Sequence, residues 1–409
     1  MNLYITKNNN VVLNPDIYHY SMLFFSFFLC ISHAAISLSA LWFLFLFVVG
    51  RNYVVSLKVL WNQPVIKWMT IFIIYVSLSV LWSQDIKTAL NIIRLYGYWV
   101  IIPILVININ KDKLHIYINA FLIGMLISEI LSFGMYLGLW VIKGHGVDYP
   151  IPFMMHIHYS VFLAVTAVIL VTRIFSSQYS RLYRMLMLTY LLMTLGDFLI
   201  SIGRTGLVAF MLTMLLAVVL RYRIKPFIIL LSIVIMAAAT FGAYKLVNDF
   251  KIRVDNIESD LIKLSNHDYD SSLGIRSAFW IITYDVIKEH PVFGVGAGDY
   301  RKIAKEMITQ HNYGFNDNVV QWCTNSHYHN QYLMVLVQGG LVGFVLMLLL
   351  ITSLYRLKMD NRNLKELSVL MLSTYMVSCM AEPLWFLQFP IALFIFIAVI
   401  SLTASMPAD

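Results

Sequence analysis

Long apolar runs recur along nearly the whole chain, and they constrain its fold more than any other feature. Of its 409 residues, 60% are hydrophobic and 12% are charged, whereas soluble domains are about 45 to 50% apolar and about 25% charged. Many runs approach or exceed the roughly 17 to 20 residues that cross about 30 Å of hydrocarbon as a helix. The chain is therefore predicted to be an all-α integral membrane protein rather than a barrel of alternating strands.

About twelve transmembrane helices are expected. The first two are short and meet at Ser32-His33-Ala34, so one long helix is the alternative there. The predicted spans are 17–33, 35–50, 66–83, 96–109, 116–141, 157–174, 185–202, 206–220, 226–245, 330–355, 366–381 and 389–405.

A single polar segment divides the spans into two groups. It runs from about Lys245 to Asn330. Before it lies a predicted N-terminal bundle of about nine spans, residues 1–245, and after it a C-terminal bundle of about three spans, residues 330–409. The segment itself, residues 246–329, is predicted to be a long loop outside the membrane.

Two amphipathic helices are predicted within this loop. Residues 275–290 carry apolar side chains at near-helical spacing and are followed by Pro291, which is typical of a helix end. Residues 299–310 are predicted to form the second helix. With Phe279 and Trp280 on the apolar side of the first helix, we expect the loop to lie at the membrane surface and to roof a cavity between the spans.

The distribution of Lys and Arg predicts which side of the membrane the loop faces. If the N-terminus is cytoplasmic, 16 of the 29 basic residues fall in inner loops and four fall in short outer loops. Because short inner loops are enriched in basic residues, the long loop is predicted to lie on the outer side. The net charge of +8 is then mostly a topology signal, and it indicates no nucleic-acid partner.

No sequence motif indicates a cofactor or a metal. There is no Walker loop or zinc-type spacing, and Gly294-Val295-Gly296-Ala297-Gly298 lacks the flanking strand and helix of a dinucleotide-binding loop. His156 and His158 are a candidate metal pair whose spacing is too common to be specific. The three cysteines cannot form a disulfide framework, and a bridge between Cys323 and Cys379 is left open.

The strongest candidate for chemistry is His329, which lies where the polar loop meets the next apolar run. Nine residues separate His329-Asn330 from Gly340, and Gly343 follows at a spacing of three. On a continuous helix the two glycines share nearly one face, where a neighbouring helix can approach closely. Such packing would hold the imidazole at the water boundary; the alternative is an ordinary interfacial histidine.

Two arginines on the predicted outer side are candidates to bind a diphosphate. Arg204 lies in Gly203-Arg204-Thr205-Gly206, between two spans joined by almost no loop, and Arg276 begins the first amphipathic helix. Two fixed guanidinium groups suit a diphosphate because each can form paired hydrogen bonds with phosphoryl oxygens. The alternative for each is an arginine that extends to water.

Six further residues are candidates to support such a site: Asn330 and Trp280, named above, and the four that follow. Lys87 and Arg94 lie seven apart in a predicted short outer loop, where they add to the positive field or are simple solvated charges. Glu382 lies at a predicted outer helix end, where it either orients His329 or is a plain surface acid. His327 lies on the same outer side, two residues before His329.

Two acids fall within predicted spans. Glu129 lies in the fifth and Asp197 in the seventh. An acid inside a bilayer is costly and is functional by default, and the alternative is a structural pairing with a Tyr or Ser.

With these residues in place, the chain resembles the O-antigen ligase family. This family of polytopic enzymes includes lipopolysaccharide O-antigen ligases, some Wzy-type polymerases and bacterial O-oligosaccharyltransferases. The resemblance covers about twelve spans with one long outer loop between the ninth and tenth. It is carried by His329-Asn330 with Gly340 and Gly343, by Gly203-Arg204-Thr205-Gly206, and by the block Arg276, Trp280, Pro291, Gly294 and Gly296.

The resemblance implies a polytopic glycosyltransferase of the GT-C-like type in the bacterial inner membrane, with its active site facing the periplasm. Such enzymes move a glycan from undecaprenyl diphosphate to an acceptor, with inversion at the sugar and without nucleotide, metal or other cofactor. By this resemblance, His329 is expected to act on the acceptor hydroxyl as a general base. Arg204 and Arg276 are expected to hold and neutralise the leaving diphosphate.

The acceptor remains open at this point. A ligase uses lipid A-core oligosaccharide, a polymerase uses a second lipid-linked glycan, and a protein glycosyltransferase uses a Ser or Thr of a protein. One long outer loop and the His-Asn motif favour the ligase, since polymerases often carry two sizeable outer loops. A flippase for lipid-linked oligosaccharides, without chemistry, is the remaining alternative; the concentration of unusual polar groups on one side argues against it.

Overall fold

A computed structural model of the chain describes residues 4–7, 10–50, 61–222 and 224–407. Arg51, Lys58 and Arg223, counted above in the predicted inner loops, lie outside these ranges. The described part begins with a short antiparallel hairpin, β1 (Tyr4–Lys7) and β2 (Asn10–Leu13). The α-helices are α1 (Pro15–Phe28), α2 (His33–Gly50), α3 (Pro64–Leu78), α4 (Ile86–Gly97), α5 (Ile101–Asn108), α6 (Leu114–Tyr136), α7 (His156–Ile174), α8 (Arg181–Ile200), α9 (Thr205–Tyr222), α10 (Pro226–Leu246), α11 (Asn248–Ser265), α12 (Ser272–Glu289), α13 (Tyr300–Gln310), α14 (Asp317–Asn325), α15 (Gln331–Tyr355), α16 (Arg362–Ser378) and α17 (Gln388–Ser405).

The helical membrane architecture is confirmed. Among the described residues, ten helical stretches are long and apolar enough to cross a membrane. They are α2, α3, α4 joined to α5, the five helices from α6 to α10, α15 and α17. Of these, α7 and α17 are the most enclosed by the rest of the protein, whereas α10 has no buried side chain and faces the surrounding lipid. The chain is thus a multi-pass membrane protein built from helices.

Two of the twelve predicted spans are shorter helices. The first is α1, with 14 residues, and the second is α16, with 17. At 1.5 Å per residue they reach about 21 and 26 Å, less than the roughly 30 Å of a hydrocarbon core. The alternative of one long N-terminal helix is excluded, because α1 ends at Phe28 and α2 begins at His33.

The fourth span begins earlier than predicted. The predicted span 96–109 corresponds to a 23-residue stretch, Ile86–Asn108. Lys87 and Arg94 therefore lie on α4, and their predicted position in a loop is wrong. The reason is that α4 is amphipathic, since it buries one face and exposes both basic side chains. Its sequence therefore lacks the continuous apolar run by which the other spans were predicted.

The basic residues of the predicted inner loops lie at one end of the bundle. Arg173 is in the last turn of α7 and Arg221 in the last turn of α9, while Arg362 opens α16. Arg204 immediately precedes α9, and Glu382 follows the end of α16. These two residues therefore lie at the opposite end of the same helices.

Helix α15 is interrupted at Gly340, and the chain that follows α12 closes the interruption. Gly340 has φ 57° and ψ −159°, a conformation open almost only to glycine. Residues 291–296, named the clasp here, bind both sides of the break. The four backbone hydrogen bonds run from Val295 N to Val337 O (2.9 Å), Gly296 N to Gln338 O (3.0 Å), Leu341 N to Pro291 O (2.9 Å) and Val342 N to Val292 O (3.1 Å).

The break corrects one prediction about the glycines. Because α15 is not continuous at Gly340, Gly340 and Gly343 do not share the face of a regular helix. Gly340 instead meets Gly294 of the clasp backbone to backbone, and a Cβ on either residue would collide with the other. Gly343 does allow a close helix contact, since a Cβ there would lie 3.2 Å from the ring of Tyr75 on α3.

The polar segment folds into four helices, α11 to α14. The two predicted amphipathic helices are confirmed to within three residues as α12 and α13. The helices α11 and α14 were not predicted. Helix α12 packs on α15, and α11 packs on α8 and α10, so the segment contacts the bundle directly. The division into 1–245, 246–329 and 330–409 stays a prediction.

Phe279 and Trp280 lie on different sides of α12. Phe279 is fully buried and its ring stacks on that of Tyr328 at a centroid distance of 4.6 Å. Trp280 is 56% exposed. The expectation that both share the apolar side of this helix is wrong, because consecutive helical residues are rotated by about 100°.

The three cysteines are free thiols. Cys30, Cys323 and Cys379 are buried, and none is bridged. The disulfide left open between Cys323 and Cys379 is therefore not formed.

We predict that Gly340→Ala destabilises the protein. A side chain at this φ and ψ costs about 1 to 3 kcal/mol, and the Cβ would also displace the clasp. The midpoint of thermal unfolding in detergent should fall by several degrees. Gly242→Ala is the matched control, because nothing lies within 4 Å of a Cβ there. Equal midpoints for the two variants would contradict the role assigned to the break.

Candidate active site

Two histidines and one glutamate form a compact cluster at one end of the bundle. His329 Nδ1 lies 3.0 Å from Glu382 Oε2, and His327 Nε2 lies 3.3 Å from Glu382 Oε1. The imidazole centroids of the two histidines are 4.5 Å apart. The Glu382 side chain is 1% exposed, whereas His329 and His327 keep 20% and 24% of their side-chain surface exposed. The carboxylate is therefore enclosed, and the imidazoles line its accessible side.

The start of α15 fixes the position of His329. His329 itself has φ 47°, a left-handed conformation that is uncommon outside glycine. Asn330 caps the helix, since its Oδ1 accepts from the backbone N–H of Tyr332 (2.8 Å) and Leu333 (3.1 Å). The Nδ2 of Asn330 donates to the carbonyl of Met380 at 2.9 Å. The Asn330 side chain thus caps the N-terminus of α15 and ties it to the loop that carries Glu382.

Two further bonds hold the Glu382 loop against α15. The backbone N–H of Gln331 donates to the carbonyl of Cys379 at 2.8 Å. The side-chain oxygen of Gln331 accepts from the backbone N–H of Trp385 at 2.9 Å. The loop between α16 and α17 is therefore fixed on both sides of Glu382, and the prediction that this acid orients His329 has a direct hydrogen bond in its favour.

The electrostatics of the cluster keep Glu382 ionised. Burial raises the pKa of Glu382. The hydrogen bond from His329 and the interactions with His327, His329 and His158 lower this pKa by more than burial raises it, so it lies below its ordinary value. Burial lowers the pKa of His327. A carboxylate only accepts hydrogen bonds, so His329 Nδ1 carries the proton of this bond; in the neutral ring the lone pair is then on Nε2.

Arg276 lies near the same cluster with unused hydrogen-bonding capacity. Its Nη1 donates to the carbonyl and the hydroxyl of Ser272, at 2.8 and 2.6 Å. Its Nε is buried and has no partner. Burial lowers the pKa of Arg276, the charge of Glu382 opposes this effect, and the charge of Arg204 adds to it. The two predicted arginines are thus close enough to repel each other.

Two glycines bring Arg204 close to α7. A Cβ at Gly203 would collide with His156 and Ser160, and a Cβ at Gly206 would collide with the backbone of Ser160. The backbone N–H of Gly206 donates to the hydroxyl of Ser160 at 3.0 Å. Within the described residues the guanidinium of Arg204 makes no hydrogen bond or ion pair with a side chain. It is half-buried and open to a ligand.

A third arginine was missed by the sequence analysis. Arg253, on α11, donates to the carbonyl of Ser201 and to that of Ile200 at 3.2 Å, at the C-terminal end of α8. A cation at a helix C-terminus is favoured by the helix dipole. Arg253 therefore contacts Ser201, which precedes Arg204 by three residues. No sequence signal distinguishes it from the other charged residues of α11.

Within the described part of the chain, no contact joins Lys87, Arg94 or Trp280 to the cluster. Lys87 is exposed, and Arg94 is exposed with its Nη2 bonded to Asn91 at 2.9 Å. Trp280 is exposed on α12. A different tryptophan, Trp322 on α14, has its ring centroid 6.5 Å from that of His329.

The two acids inside the bundle are structurally paired. The hydroxyl of Thr194 donates to both oxygens of Glu129, at 3.2 and 3.0 Å. Asp197 accepts from Ser132 at 2.8 Å and from the hydroxyl of Tyr159. Both acids are fully buried. Asp197 therefore has the Ser and Tyr partners of the structural alternative, whereas Glu129 is paired with a threonine, which that alternative did not name.

One group of side chains has the composition of a metal site. Among the described residues, the single set of three His, Cys, Asp or Glu ligands within mutual reach is His327, His329 and Glu382, with ligand atoms within 4.8 Å of one another. The candidate pair His156 and His158 has no such third ligand.

Fold and cluster together define a multi-pass membrane protein with a buried acid and two imidazoles at one end of its helices. Comparison with known proteins shows which family part of the chain resembles. The family model described as O-Antigen ligase matches residues 188–348, a range that contains Arg204, Arg276 and His329. This match supports the resemblance to the O-antigen ligase family that the motifs predicted.

A curated relative is similar over a smaller part of the chain. An uncharacterized protein of Haemophilus influenzae is 29% identical over 127 residues, which are 30% of this chain and 30% of that protein. The chain therefore matches less than a third of the length of this relative.

We predict a graded effect of substitutions at Asn330. Asn330→Ala removes both the helix cap and the bond to Met380, so it should lower the unfolding free energy by about 1 to 2 kcal/mol. Asn330→Ser keeps a capping oxygen and removes only the bond to Met380. The expected order of thermal midpoints is wild type, then Ser, then Ala. Midpoints that are equal for the two variants would contradict the separate roles given to the two ends of this side chain.

Proposed function

We propose that the chain is an O-antigen ligase that transfers a glycan from undecaprenyl diphosphate to lipid A-core oligosaccharide, on the periplasmic side of the inner membrane and with inversion at the sugar. The observation that carries this proposal is the pairing of His329 with Glu382 close to two arginines: Arg276, whose buried Nε has no partner, and Arg204. The family match supports a ligase or polymerase type of reaction. The particular donor and acceptor are part of the proposal.

The proposed orientation rests on the two ends of the helices. The basic residues of the short loops, such as Arg173 and Arg221, lie at the ends opposite Arg204 and Glu382. Short loops rich in Lys and Arg are typical of the cytoplasmic side. The candidate site would then face the periplasm, where lipid-linked glycans and lipid A-core meet.

In the proposed reaction, His329 is the general base. Its Nε2 takes the proton of the acceptor hydroxyl as the hydroxyl oxygen forms a bond to the anomeric carbon of the donor sugar. The bond from that carbon to the diphosphate oxygen breaks, and the diphosphate leaves with the electron pair. Glu382 holds Nδ1–H of His329 and stabilises the imidazolium that results.

The arginines act on the leaving group. Charge develops on the diphosphate as its bond to the sugar breaks, and fixed cations stabilise such charge without reorganisation. The buried Nε of Arg276 has no partner in the protein, and an anionic oxygen would supply one. Binding an anion would also relieve the repulsion between Arg276 and Arg204.

We predict that deletion of the gene removes all lipopolysaccharide bands above core, with accumulation of lipid-linked polymer. The wild-type gene should restore the ladder. His329→Ala should not, because loss of a general base lowers the rate by about 100-fold or more, although the variant should reach the membrane in normal amount. Lipopolysaccharide gels, lipid-linked glycan analysis and immunoblots of membrane fractions measure the three quantities.

Other outcomes identify other enzymes. A single repeat unit on core in the deletion strain would mean a polymerase, and an unaltered ladder with unglycosylated protein would mean a protein glycosyltransferase. Full transfer by His329→Ala would remove the catalytic role of that imidazole.

We also predict that Arg276→Lys impairs transfer although it preserves the charge. A lysine ammonium is a point charge and cannot reproduce the planar fork of donors, so the rate with purified donor and acceptor should fall on the order of tenfold to a hundredfold. Arg362→Lys, an exposed arginine at the far end of α16, is the control and should keep the wild-type rate. Unchanged kinetics in Arg276→Lys would contradict its assignment to the diphosphate.

A further inference from the structure

We propose that His327, His329 and Glu382 also form an inhibitory binding site for a divalent transition-metal ion of the Zn²⁺ type. Two imidazole nitrogens and a carboxylate oxygen are a donor set that suits Zn²⁺. Among the described residues, no other set of three such ligands meets within reach. The binding site itself is independent of the proposed function, whereas its inhibitory consequence rests on that function.

The distances in the cluster fit tetrahedral coordination. Ligands about 2.0 to 2.2 Å from a tetrahedral Zn²⁺ are roughly 3.3 Å apart. His329 Nδ1 lies 3.0 Å from Oε2 of Glu382 and His327 Nε2 lies 3.3 Å from Oε1, so each imidazole adjoins a different oxygen of the same carboxylate. The ligand atoms all lie within 4.8 Å of one another, so the two imidazoles need to approach each other by no more than about 1.5 Å. A rotation of either partly exposed ring provides such a movement.

The cluster is also accessible and partly preorganised. Both imidazoles keep about a fifth of their side-chain surface exposed, whereas Glu382 is enclosed. The hydrogen bonds from the Asn330 side chain to Met380 and from the Trp385 backbone to the Gln331 side chain hold the Glu382 loop to α15 and limit how far the carboxylate can withdraw. Three protein ligands leave a fourth position for water or an anion.

Metal binding would change the protonation of His329 in a way that stops general-base chemistry. In the metal-free cluster Nδ1–H donates to Glu382, and Nε2 is free to accept a proton. A metal ion on Nδ1 requires its lone pair, so the ring proton must reside on Nε2. His329 then has no nitrogen left to accept the proton of the acceptor hydroxyl. The ion would inhibit the proposed reaction without occupying the diphosphate site.

The nearby arginines limit the strength of this site. Arg276 and Glu382 interact electrostatically, so a dication at Glu382 is repelled by the guanidinium groups as well as attracted by the carboxylate. The site is therefore suited to reversible occupation rather than to a permanent structural ion.

Binding is tested with Zn²⁺ alone on the purified full chain in lipid nanodiscs, in competition with a fluorescent zinc chelator. Wild type should bind one Zn²⁺, and both His327→Ala and Glu382→Gln should bind it at least about tenfold more weakly. His290→Ala is the matched control, since His290 is exposed in the same polar segment and should leave the affinity unchanged. Equal affinity in all four proteins would mean surface binding and would overturn the site.

A spectroscopic measurement on the wild type covers the case in which a variant fails to fold. Co²⁺ in place of Zn²⁺ should give the visible absorption bands of a tetrahedral nitrogen and oxygen site. Only weak octahedral bands, or no saturable spectrum, would also overturn the proposal.

The inhibitory part is tested by transfer assays with added Zn²⁺. The zinc concentration that halves the transfer rate should rise at least about tenfold in His327→Ala relative to wild type, whatever the starting rate of the variant, and chelation should restore the wild-type rate. If Zn²⁺ binds the cluster and transfer continues, the inhibitory role is wrong. If wild type shows no transfer while the binding results hold, the proposed function is wrong and the metal site stands.

Discussion

The backbone contact between the clasp and the broken helix α15 is the constraint on which the candidate site depends. A break inside an apolar helix leaves backbone groups unpaired, each at a cost on the order of several kcal/mol in hydrocarbon. Residues 291–296 supply the missing partners through four hydrogen bonds. The clasp follows α12, which carries Arg276, and α15 begins two residues after His329. The pairing of these backbone groups therefore joins the helix that carries Arg276 to the helix that follows His329.

Charge balance explains why the cluster is stable without substrate and still prepared for an anion. The enclosed carboxylate of Glu382 would be costly alone, but it has two imidazole partners and the attraction of Arg276. The arginines are in the opposite situation, because Arg204 and Arg276 repel each other and an arginine does not release its proton in a protein. The acid is thus satisfied within the protein, whereas the two cations gain most from a ligand with negative charge.

The sequence predicted those features that depend on local pattern. Apolar runs located nearly all of the spans, and near-helical spacing located α12 and α13, since burial and periodicity are read from neighbouring residues. It failed where the partner is distant. The break at Gly340 depends on the clasp some fifty residues earlier, and Arg253 is recognisable only from its contact with the end of α8. Helix α4 was hidden for a different reason, because only half of its surface is apolar.

Glu382 lies outside the range that matches the family model, although it is bonded to His329 inside that range. The family match ends at residue 348, so it includes the imidazole of His329 and both arginines but not the acid bonded to that imidazole. A general base needs its tautomer fixed by the group on its other nitrogen, and here that group comes from the loop between α16 and α17. The tautomer of His329 therefore depends on residues beyond the segment that matches the family model. A comparison restricted to the matched segment would find the proposed proton acceptor and leave unexplained which of its nitrogens would accept the proton.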